Sequence, residues 1–440
     1  MADLPSASPS SVPFSRWQCL QSRWQRLKSR LKTQGRSLLQ TLPGLRQIPG
    51  LGWVALDRHR PQGVIPSTAA WVRRDSPPGV VYRELYADVP LHRTPPQTLD
   101  DPVQWQFTLD YGDRSQPAFL LSLPQGRCWQ TSAIITAQHH LLGDLSIHFK
   151  IDPRQTPRKH PVFWQPIASP QHHPGPLAVV IAPGGNTYFH WLIDVLPRFH
   201  LLRQGCGQGE FPPWEAIQGF VVNGYHQPFQ QQTLDLLGID RDRCVDGTAH
   251  PHWQADRLLV PSLPRHGTCA IAPWVFQFLR QTFLLSPTTP PSPRETVNPG
   301  SCPQRLYISR GSARRRRVLN EAALITLLQR WDFEVVQLEH LSFQDQVARF
   351  AAAQWVVAPH GAGLTNLVFC APGTQVLEIY SPHYVSVSYW NICSQVGLNY
   401  TYLFSRGDRP PAYTTPHHLT ADLEVDLAQV QRVLEGWHQS

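Results

Sequence analysis

The chain has 440 residues, of which 41% are hydrophobic and 16% are charged. This length leaves room for two or three domains of about 150 residues each, and the apolar share can fill large cores, which excludes a disordered protein. The formal net charge at pH 7 is +8. Residues 16–46 account for this excess, because they carry arginines and lysines and no acidic residue. The composition predicts a globular protein with one basic segment.

Cysteine and histidine usage gives no sign of a metal site. The 8 cysteines lie far apart, without a Cys-x-x-Cys pair, so we expect free, buried thiols in a reducing compartment. The 20 histidines include adjacent pairs, but these stand beside proline, glycine or threonine rather than one helical turn apart with a carboxylate. These pairs are His139-His140, His172-His173 and His417-His418.

The sequence contains no run of 18 or more apolar residues, and its first residues lack the apolar core of a signal peptide. We therefore expect a cytoplasmic protein that neither spans a membrane nor follows that secretory route.

Residues 1–56 form a basic N-terminal extension. Its apolar residues recur at spacings of three and four, which predicts a helix with one apolar stripe and a cationic opposite face. Such a helix can lie on an anionic membrane surface; the alternatives are a helix docked on its own domain and a solvated tail. We expect no nucleic-acid partner, since the rest of the chain is nearly neutral and shows no groove-reading motif. The stripe consists of Trp17, Leu20, Trp24, Leu27, Leu31 and Leu38.

Residues 57–285 are predicted to form an N-terminal domain. Up to residue 175 only short strands are predicted, among prolines and histidines, and no chemical motif stands out. From residue 176 strands and helices alternate, which predicts a parallel sheet with helices on its faces. The predicted strands there are 177–181, 219–222 and 258–261, and the predicted helices are 186–204, 227–237 and 272–285.

Residues 286–303 carry six prolines among serine, threonine and glycine, which is typical of a linker. The alternation restarts over residues 304–420 and predicts a C-terminal domain. A last helix within residues 421–440 is expected to pack back on the N-terminal domain. Two doubly wound sheets joined by a linker would face each other across a cleft, where a ligand binds.

A glycine-bearing turn follows the predicted strand 355–358. It reads His360-Gly361-Ala362-Gly363 and leads into a helix that carries Asn366. The glycines let the backbone approach a ligand, and the helix start presents unpaired N–H groups and a positive dipole end. The pattern predicts a phosphate site; an ordinary turn is the alternative.

Arginines follow the first predicted strand of the same sheet, 306–309. Arg310 stands at the carboxyl end of that strand, where open sheets bind ligands, and Arg314 to Arg317 follow in one loop, before Asn320 as a candidate helix cap. Guanidinium groups can bind phosphate through two hydrogen bonds. We expect Arg310, Arg316 or Arg317 to do so; a solvated patch is the alternative.

Two further carboxylates are candidates for chemistry. Glu378 lies in an apolar strand, where a carboxylate needs hydrogen-bond donors, and we expect ribose hydroxyls to be those donors; a structural ion pair is the alternative. Asp194 shares a polar stripe with Asn186, His190 and Arg198 on an otherwise apolar helix. Asp194 can orient His190 and raise its basicity, or take the proton itself. The alternative is a pair that satisfies itself inside the core.

In order and spacing, these stretches resemble glycosyltransferase family 61, the group that includes plant xylosyl- and arabinosyltransferases and animal O-linked N-acetylglucosaminyltransferases. The resemblance covers about residues 176–405, while residues 1–175 match no pattern of the family. Trp331-Asp332 stands where the family usually has a glycine. The matching stretches are 186–194, 306–321, 341–346, 360–366 and 376–379.

The resemblance implies a GT-B fold of two Rossmann-like doubly wound domains and an inverting transferase that requires neither metal nor cofactor. The donor would be a nucleoside-diphosphate sugar, for which we expect UDP, and the acceptor a hydroxyl of a glycan or another molecule. His190 or Asp194 would take the acceptor proton, and Glu378 would hold the ribose. The remaining donor-binding residues would be Arg310, Arg316, Arg317, His360, Gly361, Ala362, Gly363 and Asn366. Rival hypotheses are a non-catalytic nucleotide or glycan sensor and a peripheral membrane scaffold.

Overall fold

The computed structural model describes residues 58–99, 103–108, 114–131, 133–148, 152, 154–267, 270–284, 304–407 and 421–439. The predicted basic extension and the predicted linker lie outside these ranges, so both stay predictions. The described residues from Pro61 onward form one compact unit that contains two large sheets and a two-stranded one. None of the helices in the described ranges has the length and apolar character needed to cross a bilayer.

The first sheet is mixed. Its described strands, in chain order, are β1 (Gly63–Ile65), β2 (Val81–Tyr86), β3 (Ala118–Pro124), β4 (Arg127–Trp129), β5 (Ala133–Ile135), β6 (His140–Leu142), β7 (Gln171–Val179), β8 (Gly219–Val222), β9 (Cys244–Asp246) and β10 (His252–Pro261). The order along the sheet is β1-β6-β5-β4-β10-β7-β8-β9, with β3 between β10 and β2. Strands β10, β7, β8 and β9 are parallel, whereas β3 and β4 join β10 in antiparallel fashion.

The prediction of an α/β protein with a parallel sheet is confirmed, but the first sheet departs from a fully doubly wound one. Strands β3 and β4 lie end to end along β10. A short turn joins β4 to its antiparallel neighbour β5, and only antiparallel strands can be joined so closely. These strands lie within residues 57–175, where only short strands are predicted. The finer GT-B prediction and its domain boundaries stay predictions.

The helices of this part are α1 (Thr68–Asp75), α2 (Trp105–Thr108), α3, α4 (Pro228–Leu236) and α5 (Pro273–Leu284). Helix α3 consists of three consecutive segments, Tyr188–His190, a π-helical turn Trp191–Val195, and Leu196–Gly205. Pro197 accounts for the wide turn, because a proline inside a helix cannot donate the usual hydrogen bond and crowds the carbonyl four residues earlier. Trp191, Phe199 and their apolar neighbours bury this helix against β7 and β8.

The second sheet is parallel throughout. A two-stranded hairpin, β11 (Arg265–His266) and β12 (Ala270–Ile271), precedes it. The strands of the second sheet are β13 (Arg305–Ile308), β14 (Glu334–Val336), β15 (Trp355–Pro359), β16 (Gln375–Tyr380) and β17 (Asn399–Phe404). The order β14-β13-β15-β16-β17 reverses direction between β13 and β15, and at such a switch point doubly wound sheets bind ligands.

The helices around the second sheet are α6 (Glu321–Gln329), α7 (Phe343–Ala352), a 3-10 helix (Ala362–Phe369), α8 (Ser388–Val396) and α9 (Leu427–Gln439). The sequence analysis predicts that α9 packs on the N-terminal domain. Its apolar side packs instead with Tyr307, Leu324 and Trp355 of the second sheet and its helices. Asn320 holds the approach to α9 by hydrogen bonds to the backbone of Val425 and does not cap α6 as predicted.

Residues without a predicted role join the two sheets. The backbone of Gln97 hydrogen-bonds to Tyr400 and Tyr402 of the edge strand β17. Phe107 stacks on Tyr402 with ring centroids 4.6 Å apart. On the other side, Arg280 of α5 donates to the carbonyls of Val368 and Cys370 at the end of the 3-10 helix. These contacts attach the segment before β3 to the edge strand β17, and helix α5 to the 3-10 helix.

Candidate active site

A tight turn after β7 sets the start of α3. Gly184 adopts a φ of 75°, in the left-handed region that favours glycine. The ring of His190 lies over it, and a Cβ at Gly184 would stand 2.6 Å from His190 Cδ2. The turn therefore fixes the position of the His190 imidazole, and a side chain at residue 184 would displace it.

His190 and Asp194 form a cluster with Arg265 of β11. His190 Nδ1 lies 2.6 Å from Asp194 Oδ2. The guanidinium of Arg265 donates to both oxygens of Asp194, with Nε 2.6 Å from Oδ1 and Nη2 3.0 Å from Oδ2. The side chain of Asp194 is 7% exposed, whereas that of His190 is 22% exposed. The imidazole is thus the outer member of the cluster.

The hydrogen-bond partners of Asp194 keep its carboxyl group ionised. Burial disfavours the carboxylate, but Arg265 and His190 outweigh it and hold the pKa of Asp194 below its ordinary value. Asp194 is therefore ionised at neutral pH, with both oxygens engaged. Which of His190 and Asp194 accepts a proton stays a prediction; in this structure Asp194 orients the ring of His190.

Arg310 follows β13, at the carboxyl end where the strand order reverses. Its Nη2 donates to the carbonyl of Arg315 over 3.0 Å, and its Nη1 lies where a Cβ of residue 361 would be. Only a glycine at position 361 leaves room for this guanidinium. No carboxylate within the described ranges forms an ion pair with Arg310, and an arginine keeps its positive charge.

Arg316 brings a second guanidinium to the same place. It adopts a φ of 56°, which is unfavourable for a residue with a side chain. Its guanidinium carbon lies 5.7 Å from the ring centre of Tyr384, and its buried Nε has no hydrogen-bond partner in the described structure. A buried donor without a partner is unfavourable by about 1–3 kcal/mol, so this one is suited to receive an anionic ligand.

His360 follows β15 and is held by a buried carboxylate. Its Nδ1 hydrogen-bonds to Glu378 Oε1, and Tyr400 donates to Glu378 Oε2 over 2.6 Å. The side chain of Glu378 is fully buried and that of His360 is 7% exposed. A ribose hydroxyl could reach Glu378 only if His360 or Tyr400 moved. The predicted ribose contact stays a prediction; in this structure Glu378 orients the ring of His360.

Asn366 lies in a buried network and not at the surface of the site. It accepts a hydrogen bond of 2.6 Å from the hydroxyl of Tyr188 and donates one of 2.9 Å to Gln346. Gln346 in turn donates to the carbonyl of Leu338. The network ties the start of α3 to the 3-10 helix.

The remaining predicted residues have distinct surroundings. Arg317 is 55% exposed and pairs with Asp422 over 2.7 Å, so the structure does not bring it to Arg310 and Arg316. Gly363 leaves room for Leu338, whose Cδ1 would stand 2.5 Å from a Cβ there. Ala362 begins the 3-10 helix, and its carbonyl accepts from Thr365.

Aromatic rings connect the two halves of the site. Phe189, beside His190, meets Tyr389 with ring centres 5.9 Å apart, and Tyr389 lies 5.2 Å from the ring of His360. The His190 cluster and the Arg310, Arg316 and His360 group therefore face one region. No set of three or more His, Cys, Asp or Glu side chains suited to hold a metal occurs within the described ranges.

Sequence reasoning missed three kinds of residue. Arg265 stands in a short hairpin far along the chain from His190, so no local pattern linked them. Tyr188 lies between Asn186 and His190 of the polar stripe but is not part of it, and only its partner Asn366 reveals its role. Tyr384 and Tyr389 follow β16 in a stretch where neither α8 nor β17 was predicted.

The fold and this site are compatible with an α/β glycosyltransferase. Residues 188–377 match the family model described as Glycosyltransferase 61, so the chain carries a glycosyltransferase 61 domain there and the resemblance seen in the sequence is confirmed. The chain is 37% identical over 65 residues to beta-1,2-xylosyltransferase RCN11 of Oryza sativa subsp. japonica, and 37% identical over 68 residues to beta-1,2-xylosyltransferase of Arabidopsis thaliana. Each alignment covers 14% of this chain and 12% of the relative's length.

Proposed function

We propose that the chain transfers a sugar from a nucleoside-diphosphate sugar to a hydroxyl group, with inversion and without a metal ion. The observation that carries this proposal is the pair Arg310 and Arg316, two guanidinium groups without a carboxylate partner in the described structure. They stand at the switch point of a parallel sheet, beside the glycine-bearing turn.

Each part of this site would bind one part of the donor. Arg310 and Arg316 would hold the diphosphate oxygens, with the first amides of the 3-10 helix, because the N–H groups of a first turn have no partner within their helix. In the transition state the C1–O bond breaks and the β-phosphate takes the electron pair. Fixed cations and amides stabilise that charge without reorganising, which is the role that a divalent cation has in other transferases.

His190 would accept the proton of the acceptor hydroxyl as that oxygen attacks C1. Asp194 presents the imidazole in one orientation, and Arg265 holds Asp194 ionised, so that its charge stabilises the imidazolium that forms. The names of the two relatives suggest xylose as the sugar, and a glycan hydroxyl is the acceptor that we propose. We propose UDP-xylose as the first donor to test.

The test combines binding and turnover. We expect a UDP-sugar to raise the melting temperature of the full chain in the presence of EDTA, because a ligand that binds only the folded state stabilises it. A panel of UDP-, GDP- and CMP-sugars identifies the nucleotide. Loss of binding in EDTA would contradict the metal-free site. Binding without transfer or hydrolysis of any sugar in the panel, with glycan acceptors present, would favour the non-catalytic sensor.

A further inference from the structure

The two ring nitrogens of His360 have different surroundings. Nδ1 hydrogen-bonds to the fully buried Glu378, which requires a proton on Nδ1 as long as the carboxylate is ionised. Nε2 takes part in no hydrogen bond in the described part of the chain, while the side chain keeps a small exposed surface. The ring therefore turns one free nitrogen toward the proposed diphosphate.

The charges around His360 come from several elements. Glu378 and Tyr380 face it from β16, Tyr384 from the following loop, and Tyr389 from α8. Arg310 and Arg316 act on it from the end of β13 and the loop behind it. Tyr400 reaches it only through Glu378.

Without a ligand, these surroundings favour the neutral ring. Burial lowers the pKa of His360, and the two arginines lower it further, although Glu378 opposes them. A free Nε2 without a proton can only accept a hydrogen bond. A phosphate oxygen is also only an acceptor, so the neutral ring and the bound diphosphate do not match.

We infer that His360 takes up a proton when the donor binds and then donates from Nε2 to the diphosphate as a third cation beside Arg310 and Arg316. This inference rests on the proposed function. The proton comes from solvent, and His360 keeps it during transfer. The diphosphate of a nucleotide sugar carries two negative charges, which the two arginines match. A third develops on the β-phosphate when the C1–O bond breaks, and the imidazolium faces it.

The electrostatic reason for the uptake lies in the arginines. An anion between Arg310 and Arg316 screens their charge from His360 and adds a negative charge of its own, so protonation becomes easier in the complex. The pKa of His360 is then higher in the complex than in the free protein. Affinity must fall as pH rises through the window between the two values, by up to about tenfold per pH unit.

The experiment is calorimetric titration of the full chain with UDP-xylose at pH 7, in two buffers that differ in ionisation enthalpy. UDP itself is unsuitable, because its terminal phosphate titrates near pH 6 and would exchange protons of its own. We expect uptake of about one proton per bound UDP-xylose, and an affinity that weakens from pH 6 to pH 8. His360→Gln should abolish the uptake, whereas His190→Gln should keep it.

The outcomes distinguish the inference about His360 from the proposed donor site. Binding of UDP-xylose without proton uptake by the unmodified protein overturns this inference and leaves the proposed donor site standing. Absence of any binding overturns the proposed donor and the inference with it. Loss of the uptake in His190→Gln instead of His360→Gln also overturns it. The buffer comparison on the unmodified protein decides the matter even if His360→Gln does not fold.

Discussion

The hydroxyl of Tyr188 donates a hydrogen bond of 2.6 Å to Oδ1 of Asn366. Tyr188 begins the helix that carries His190, and Asn366 lies on the 3-10 helix that follows His360. This hydrogen bond connects the helix of the proposed base to the proposed donor site. Asn366 also donates a hydrogen bond to Gln346. Asn366, which the sequence motif predicts to bind the donor, therefore also holds the two halves of the site together.

Removing this bond should lower stability. In Tyr188→Phe the Oδ1 of Asn366 stays buried without a donor, at a cost of about 1–3 kcal/mol. The free energy of unfolding from urea titration measures the effect. Tyr82→Phe is the matched control, because the hydroxyl of Tyr82 makes no hydrogen bond in the described structure and its ring packs in a tilted orientation on Phe119. Equal losses in both variants would show that the hydroxyl of Tyr188 has no special part.

Arg310 and Arg317 offer a direct comparison within one loop region. Arg310→Ala should weaken binding of the nucleotide sugar by about 1.5–3 kcal/mol, the usual contribution of a charge-assisted hydrogen bond. Arg317→Ala should leave the dissociation constant nearly unchanged, because Arg317 is bound to Asp422. Calorimetric titration measures both. A comparable loss in Arg317→Ala would restore the sequence prediction that Arg317 holds phosphate.

A substitution at Gly361 tests whether the position of the Arg310 guanidinium matters for donor binding. The Cβ of Gly361→Ala would occupy the place of Arg310 Nη1, so the guanidinium must move and donor affinity should fall. The combined variant with Arg310→Ala should bind no more weakly than Arg310→Ala alone, because interacting residues are not additive. Gly373→Ala is a poor control, since Gly373 has a positive φ. Gly436→Ala is a better one, with open space around it. Additive losses would contradict the contact.

The sequence predicted the second sheet better than the first, for a physical reason. Its buried parallel strands are continuous apolar runs between helices, so Arg310 and His360 could be placed at strand ends and hence near each other. The role of Glu378 was ambiguous. A carboxylate in an apolar strand requires hydrogen-bond donors, but the sequence does not show that His360 and Tyr400 are those donors. Arg265 could not be found, since hairpin β11–β12 meets α3 only in three dimensions. The short strands before residue 176 lack periodicity altogether.

The basic extension predicts a location. Deleting residues 1–50 should release the protein from vesicles that contain anionic lipid, because the predicted apolar stripe and most of the excess positive charge lie there. Co-sedimentation with anionic and with neutral vesicles measures this, and circular dichroism checks that the shortened chain stays folded. Equal binding of both forms to anionic vesicles would contradict a membrane role for the extension.

The cluster of His190, Asp194 and Arg265 gives the most informative kinetic test. His190→Ala should lower kcat by about 10²–10⁴, the usual effect of losing a positioned base, while affinity for the donor stays nearly constant. Asp194→Asn should lower kcat as well, since the amide no longer stabilises an imidazolium. Arg265→Gln should also lower kcat, because Asp194 loses the guanidinium that binds both of its oxygens.

Measuring stability beside kcat separates catalysis from packing. Arg265, Asp194 and His190 form one cluster, so a purely structural role predicts that each substitution lowers stability and that kcat of the folded protein stays unchanged. If Asp194 itself took the proton, Asp194→Asn would abolish turnover and His190→Gln would retain most of the activity. Should all three variants turn over at the parent rate, the base lies elsewhere, and the cluster only anchors hairpin β11–β12 on α3.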